Sequence, residues 1–350
     1  MGETSIEWSD KVWNPVRGCS LVSPGCTNCY AMKQAHRFSA PGQPYAGLTR
    51  LRTKGGPGWT GTAREVPEML GEPLRWRKPS RVFVNSMSDL FHEDVSDDFI
   101  EAVFGVMQSA GHHTFQVLTK RPERMRHFMS HASAERCAAE MVLRKIDFES
   151  PGGRRNRLRH DPPGWTWPPR NVWLGVSVED QQRAEERIPH LLATPAAVRF
   201  LSCEPLLGPL TIGLRGVIPA TIARGYTPVS SRIDWAIVGG ESGPRARPCH
   251  ARWVHNLVRE FVDAEVPIFV KQAGAYVVDR NDVGFEAETV DPPDPESWPT
   301  PVRVEEDLSG YRDGYQGAPV RVHLKDPKGG DPQEWPAGLR VRQFPEVPRG

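Results

Sequence analysis

Cys19, Cys26 and Cys29, in the run NPVRGCSLVSPGCTNCYAM, are the residues of this sequence best equipped for chemistry. Their spacing is C-x6-C-x2-C. Three thiolates are one short of the four that close a structural zinc or an ordinary iron–sulfur site. A cluster held by three cysteines leaves one iron open, and an open metal is where a ligand can react. Two plainer readings stand beside this one. The triplet could hold zinc with a fourth ligand from elsewhere, for which His36 is the candidate, or it could be three unconnected buried thiols, which the tight spacing disfavours. Cysteine spacing alone rarely separates zinc from iron–sulfur. Gly18 and Gly25 sit just before the first two cysteines, where a loop wrapped round a metal needs positive-φ turns.

The elements that must position this loop can be read from recurring short apolar runs. Arg81–Ser86, Thr114–Lys120, Val172–Val178, Val198–Glu204, Asp234–Gly240 and Pro267–Gln272 are rich in β-branched and aromatic residues. They are continuously apolar rather than alternating, which suits parallel strands covered on both faces. Amphipathic helices are expected between them at Asp97–Ala110, Pro122–His131, Asp180–Thr194 and Ala251–Ala264. The last would place Trp253, Leu257, Val258 and Phe261 on one stripe. Strands alternating with helices imply right-handed βαβ units. A first strand is expected within Ile6–Arg17, where Pro15 is tolerable only at a sheet edge. The fold class is therefore α/β, an open, partial parallel βα barrel of six to seven units rather than a closed barrel of eight.

In such a barrel, ligands bind at the C-terminal ends of the strands. Polar residues concentrate there: Asn85, Ser86, Ser88 and Asp89; Lys120; Ser177 and Glu179; Cys203 and Glu204; Glu241 and Ser242; Lys271 and Gln272. Helix capping would account for Asp89, Asp180 and Ser242. It does not account for Lys120, Glu204, Glu241 and Lys271, whose charges are costly to bury unpaired. Charges of both signs converging on one mouth suit a zwitterionic ligand with amino, carboxylate and ribose groups.

The chain has 350 residues with a net charge of +1, so no global basic signature marks a nucleic-acid binder. No apolar run is long enough to span a bilayer, and the polar start MGETSIEWSD carries no secretory h-region. Six cysteines in a chain this size do not read as a disulfide framework, so a cytoplasmic location is expected. Residues 1–275 are read as the barrel domain, with insertions at about 40–79 and 137–170. The first is expected to be loop-rich with one short helix. The second carries the basic run RRNRLRH beside Trp165 and Trp167, a surface suited to phosphates and base stacking. Residues 276–350 read as a Pro-rich, irregular extension with a small β element around Val302–His323.

At these motifs the chain resembles the radical S-adenosylmethionine enzymes of the spore photoproduct lyase-like branch. NPVRGC…GCTNCYA is similar to that branch's cysteine signature, and NSMSDLF, LTKRPERM and GVSVED follow in matching order. Residues 3–275 resemble more closely still a phage and bacterial three-Cys-motif family that has a separately encoded partner protein. Two features differ from the usual radical enzyme: the first cysteine gap is three residues longer, and the Gly-Gly-Glu after the second strand is missing.

The resemblance implies that Cys19, Cys26 and Cys29 ligate a 4Fe–4S cluster whose fourth iron binds S-adenosylmethionine, with a reductase or flavodoxin-type electron donor. It implies that Asn85, Ser86, Ser88 and Asp89 hold the methionine amino group. Lys120 would contact a carboxylate or the substrate, and Ser177 and Glu179 the ribose. Tyr30 would pack on the adenine or the cluster, unless it is plain core. Glu204, Glu241 and Lys271 would face the substrate, with Cys203 or Cys249 as hydrogen-atom donors. The expected reaction is modification or repair of a nucleic acid or nucleoside. Alternatives are a radical enzyme acting on a peptide or the partner protein, and a non-enzymatic binding module stabilised by zinc or a closed cluster.

Overall fold

The structure is a computed structural model that describes residues 4–53, 55–146, 165–214, 233–279, 320–322 and 324–345. Seven strands form one all-parallel sheet, curled into an open half-barrel: β1 (Lys11–Trp13), β6 (Arg81–Val84), β7 (Thr114–Thr119), β8 (Val172–Ser177), β9 (Val198–Cys203), β10 (Trp235–Gly239) and β12 (Ile268–Gln272). They pair in that spatial order, which is also their order along the chain. Strand β1 lies at an edge of the sheet, where the following Pro15 removes no ladder bond.

Both faces of the strands are buried, so the continuous apolar runs divide with period two. One set, including Val82, Val84, Val117, Leu174, Val176, Leu201 and Val270, packs against the helices. The alternate set, Phe83, Trp173, Phe200, Trp235, Ile237 and Phe269, fills the concave interior together with Trp8. Burying each such side chain contributes roughly 1.5–3 kcal/mol. These side chains form a floor, and Asn85, Ser202 and Lys271, two positions beyond Phe83, Phe200 and Phe269, are polar and lie above it.

The outer layer comprises α2 (Asp97–Ser109), α3 (Pro122–His131), α4 (Ala134–Leu143), α5 (Gln181–Leu192) and α6 (Ala251–Asp263). Ser96 and Asp180 cap α2 and α5 by accepting from the Phe99 and Arg183 amides. In α6 the buried stripe is Ala251, Val254, Leu257, Val258 and Phe261, and Trp253 packs at its margin. Helix α4 occupies the start of the expected 137–170 insertion, with Ser133 as its cap. The RRNRLRH run lies outside the described residues. Trp167 is not a free stacking surface: its indole donates to the Met129 carbonyl at 2.9 Å and packs on Phe104.

The expected short helix between residues 40 and 79 does not form among the described residues. Prolines and glycines restrict that stretch to two 3-10 turns and three short strands: β3 (Thr49–Leu51), β4 (Pro57–Trp59) and β5 (Ala63–Glu65). Strand β5 pairs antiparallel with β2 (Val16–Gly18), so the insertion braces the chain just before Cys19.

The C-terminal region is woven into the barrel. Strand β14 (Val320–Val322) pairs with β13 (Val277–Asp279), which also pairs with β11 (Cys249–His250). A segment around residue 342 then runs antiparallel along β12: the Val270 amide donates to Val341 at 2.8 Å and the Gln343 amide to Ile268 at 2.9 Å. This covers an otherwise open sheet edge. Phe344 reaches the interior floor, 5.4 Å from both Trp235 and Phe269. Arg342 pairs with Glu7 at 2.9 Å and ties the segment to the N-terminal stretch.

Candidate functional site

The cysteine loop leaves β2 at Gly18, whose φ is +87°; a Cβ there would come within 2.3 Å of the Thr62 carbonyl. Gly25 is needed for space instead: a Cβ would meet the Glu179 carboxylate at 2.9 Å. Cys26 ends a 3-10 turn (Pro24–Cys26), and Cys29 is the N-cap residue of α1 (Tyr30–Arg37). Burial pushes the Cys19 thiol up to about 12, reinforced by Asp89, and burial raises that of Cys29. Both are neutral thiols until a cation offsets the cost of ionising them. Among the described residues, Asp98, Glu101 and Glu140 are the one group of three whose ligand atoms all lie within 4.8 Å of one another; the three sulfurs are spread more widely.

Three acid–arginine pairs hold this loop. Glu179, fully buried, accepts from the Ser23 hydroxyl, from the Gly25 amide at 3.2 Å and from Arg187 at 2.9 Å. Burial alone would raise its pKa, but Lys120 and Arg187 outweigh that and lower it. Glu241 accepts a fork from Arg247 at 2.6 and 3.0 Å and a bond from Asn28 at 3.0 Å. These bonds lower its pKa against the opposing effect of burial. Arg247 also donates to the Pro24 carbonyl at 3.0 Å. On the third side, Asp89 accepts from Thr119 at 2.7 Å and Arg121 at 3.0 Å, and Arg121 donates to Ser20 at 2.5 Å. Glu179, Glu241 and Asp89, expected to touch ligand, thus have carboxylates committed to the loop or its base.

Beneath the loop lies a cavity of about 250 Å³ at the C-terminal ends of the strands. All three cysteines and Tyr30 line its upper side, and Trp8, Phe83 and Leu118 its floor. Between them stand Asn85, Ser86, Ser88, Lys120, Ser177, Ser202, Glu204, Glu241 and Lys271, with Asp89 beside them. Glu204 is held by Lys271 at 2.6 Å and by Gln272 at 3.1 Å. Lys120 forms no ion pair within 4 Å among the described residues. Asn85 is buried in the left-handed region, with φ of 61°. Its side-chain Oδ1 accepts from the Val16 amide at 3.3 Å, while its side-chain nitrogen Nδ2 has no partner. Tyr30 donates to the Ser86 carbonyl at 2.8 Å, and its ring is half exposed at the cavity.

Four expected residues stand outside the cavity; one is Glu179, whose carboxylate is turned to Ser23, Gly25 and Arg187. Cys203 is buried on the helix side of β9, one residue out of register with Ser202, which lines the cavity. Cys249 is buried in the same outer layer. His36 shares a hydrogen bond with Thr49 at 3.0 Å and does not line the cavity, so it offers no fourth ligand there.

Sequence reasoning missed Asn14, Asn28, Arg187, Arg247 and the cavity-facing Trp8. One signal was available: Arg187 falls on the apolar stripe of α5, beside Ala184, Ile188 and Leu191, and a cation in that register requires a buried partner. Asn14 accepts from Ser86 at 3.2 Å and from the Met87 amide at 3.1 Å, fixing the turn after β6.

Residues 3–317 match the family described as protein of unknown function DUF5131, and the chain belongs to that family. No curated protein and no solved structure matches it.

Proposed function

We propose that this chain is a radical S-adenosylmethionine enzyme that modifies or repairs a nucleic acid or nucleoside. One observation carries the reading. A single loop sets three cysteines, and no fourth cysteine or histidine among the lining residues, over a cavity of strand-end polar groups. The orphaned Asn85 amide also fits a bound group, because it lacks an acceptor that a carboxylate or hydroxyl would provide.

A 4Fe–4S cluster with S-adenosylmethionine supplies one-electron cleavage of a sulfonium to a 5′-deoxyadenosyl radical. The chain's own residues do the rest. Cys19, Cys26 and Cys29 would hold three irons. Asn85, Ser86 and Ser88 would orient the amino-acid end, with Lys120 opposite its carboxylate and Ser177 toward the ribose. Glu204 and Lys271, paired at the far wall, would fix the substrate. The aromatic floor excludes water from below, and the three acid–arginine pairs hold the loop before anything binds.

Anaerobic purification followed by iron, sulfide and zinc analysis tests the reading. The expected result is a 4Fe–4S complement, 5′-deoxyadenosine on addition of dithionite and S-adenosylmethionine, and loss of both in Cys29→Ala. Stoichiometric zinc without iron would overturn it in favour of a binding module, and an intact cluster that never yields 5′-deoxyadenosine would leave only a binding role.

A further inference from the structure

Beside the cysteine cavity a second groove of about 430 Å³ runs between the start of α3 and α5. Val22, Lys120 and Arg121 line both spaces, so the two are continuous. The groove carries Lys120, Arg121, Arg124, Arg183 and Arg187 against the carboxylates Glu93, Glu123 and Glu186. Arg121, Arg124, Arg183 and Arg187 each have a carboxylate partner, but the groove keeps donors beyond those pairs. Lys120 has no ion pair among the described residues. Arg187 is 4% exposed and uses one nitrogen, Nη1, on Ser177 and Glu179, and among the described residues its Nε and Nη2 make no hydrogen bond. The first turn of α3 has no side-chain cap, so the Glu123 and Arg124 amides are open to an anion.

The geometry points to this groove as the anchoring site for a phosphate group of the substrate, whose reacting part enters the cysteine cavity past Lys120. This assignment rests on the cavity being the reaction site. A phosphate ester matches the donor set: its oxygens accept several bonds at once, as forked guanidinium groups and helix-end amides require. The ligand is therefore a nucleotide or a single strand, taken up by its backbone.

The full chain, as purified, is titrated by fluorescence anisotropy with a labelled short single-stranded oligonucleotide over a range of salt, with AMP as competitor. Arg183→Gln removes a surface guanidinium whose ion pairs lie within its own helix, so the fold is retained. It should weaken binding about three- to tenfold and flatten the dependence of log Kd on log salt by about one. Glu123→Gln removes a repelling carboxylate and should tighten binding. Displacement by AMP assigns a nucleotide-sized ester; a bound strand that AMP does not displace assigns a polynucleotide. Absence of binding at low salt, or equal affinity and salt slope in both variants, would overturn the proposal. Binding is read without S-adenosylmethionine, and iron analysis of the same sample reports separately on the cluster, so failure of one reading does not imply failure of the other.

Discussion

One residue of register separates chemistry from packing on β9. Ser202 faces the cavity, and Cys203 faces the helices with its side chain fully buried. The run VRFLSCE is apolar on both faces, so its sequence has no alternation to say which of the two points inward. Cys203→Ala should therefore lower stability by about 1 kcal/mol, read from the urea midpoint, and leave iron content and 5′-deoxyadenosine yield unchanged. Loss of product with intact iron would put Cys203 back in the site.

His113 makes a separate prediction at the same scale. Burial, aided by the neighbouring His112, lowers its pKa to about 4, and its Nδ1 accepts from the Ser80 amide at 3.2 Å. In the unfolded chain it would titrate near 6.5. The unfolded state alone takes up this proton as pH falls, so the contribution of neutral His113 is present above pH about 6.5 and is lost toward pH about 4. Urea midpoints measured across that window should decline, and His113→Asn should flatten the decline.

At the scale of elements, the strands and helices of the barrel were legible because their apolar runs are long. Expected Thr114–Lys120 and observed Thr114–Thr119 differ by one residue. The brace formed by β2 and β5 was not legible, because three-residue strands have no period to read and are fixed by what they pair with. The acid–arginine pairs were half legible: the strand-end acids stood out, but their partners lie 6 to 32 residues away on other elements. Glu179→Gln leaves Arg187 buried without its counter-charge, a change that costs roughly 3–5 kcal/mol in comparable pairs. Amide exchange at Gly25 and across the cysteine loop should accelerate more than at β7 or β8. Uniform acceleration would mean that the pair supports the whole fold rather than the loop.

At the scale of the whole molecule, the three cysteines and most of the expected strand-end polar groups line one cavity, while Glu179 and Cys203 do not. The boundary at residue 275 concealed a different arrangement. The Pro-rich composition after it reads as an extension, yet Val341, Gln343 and Phe344 complete the sheet edge and the interior floor. Composition reports local chain behaviour and not a distant docking partner, so nothing in the sequence joined Phe344 to Trp235. Phe344→Ala should cost roughly 2 kcal/mol, less than a fully enclosed ring, and should shift the fluorescence of Trp235, whose indole donates to the Gln343 carbonyl at 2.8 Å.

That late-arriving segment also sets an order of events during synthesis. Trp8 and Phe83 emerge early, Trp235 and Phe269 much later, and Phe344 later still. A nascent chain that has reached β12 has every strand of the sheet but an uncovered edge and an incompletely covered aromatic floor. Until residues 341–344 emerge, that edge is open to pairing with other chains, and chaperone protection would matter most over this interval.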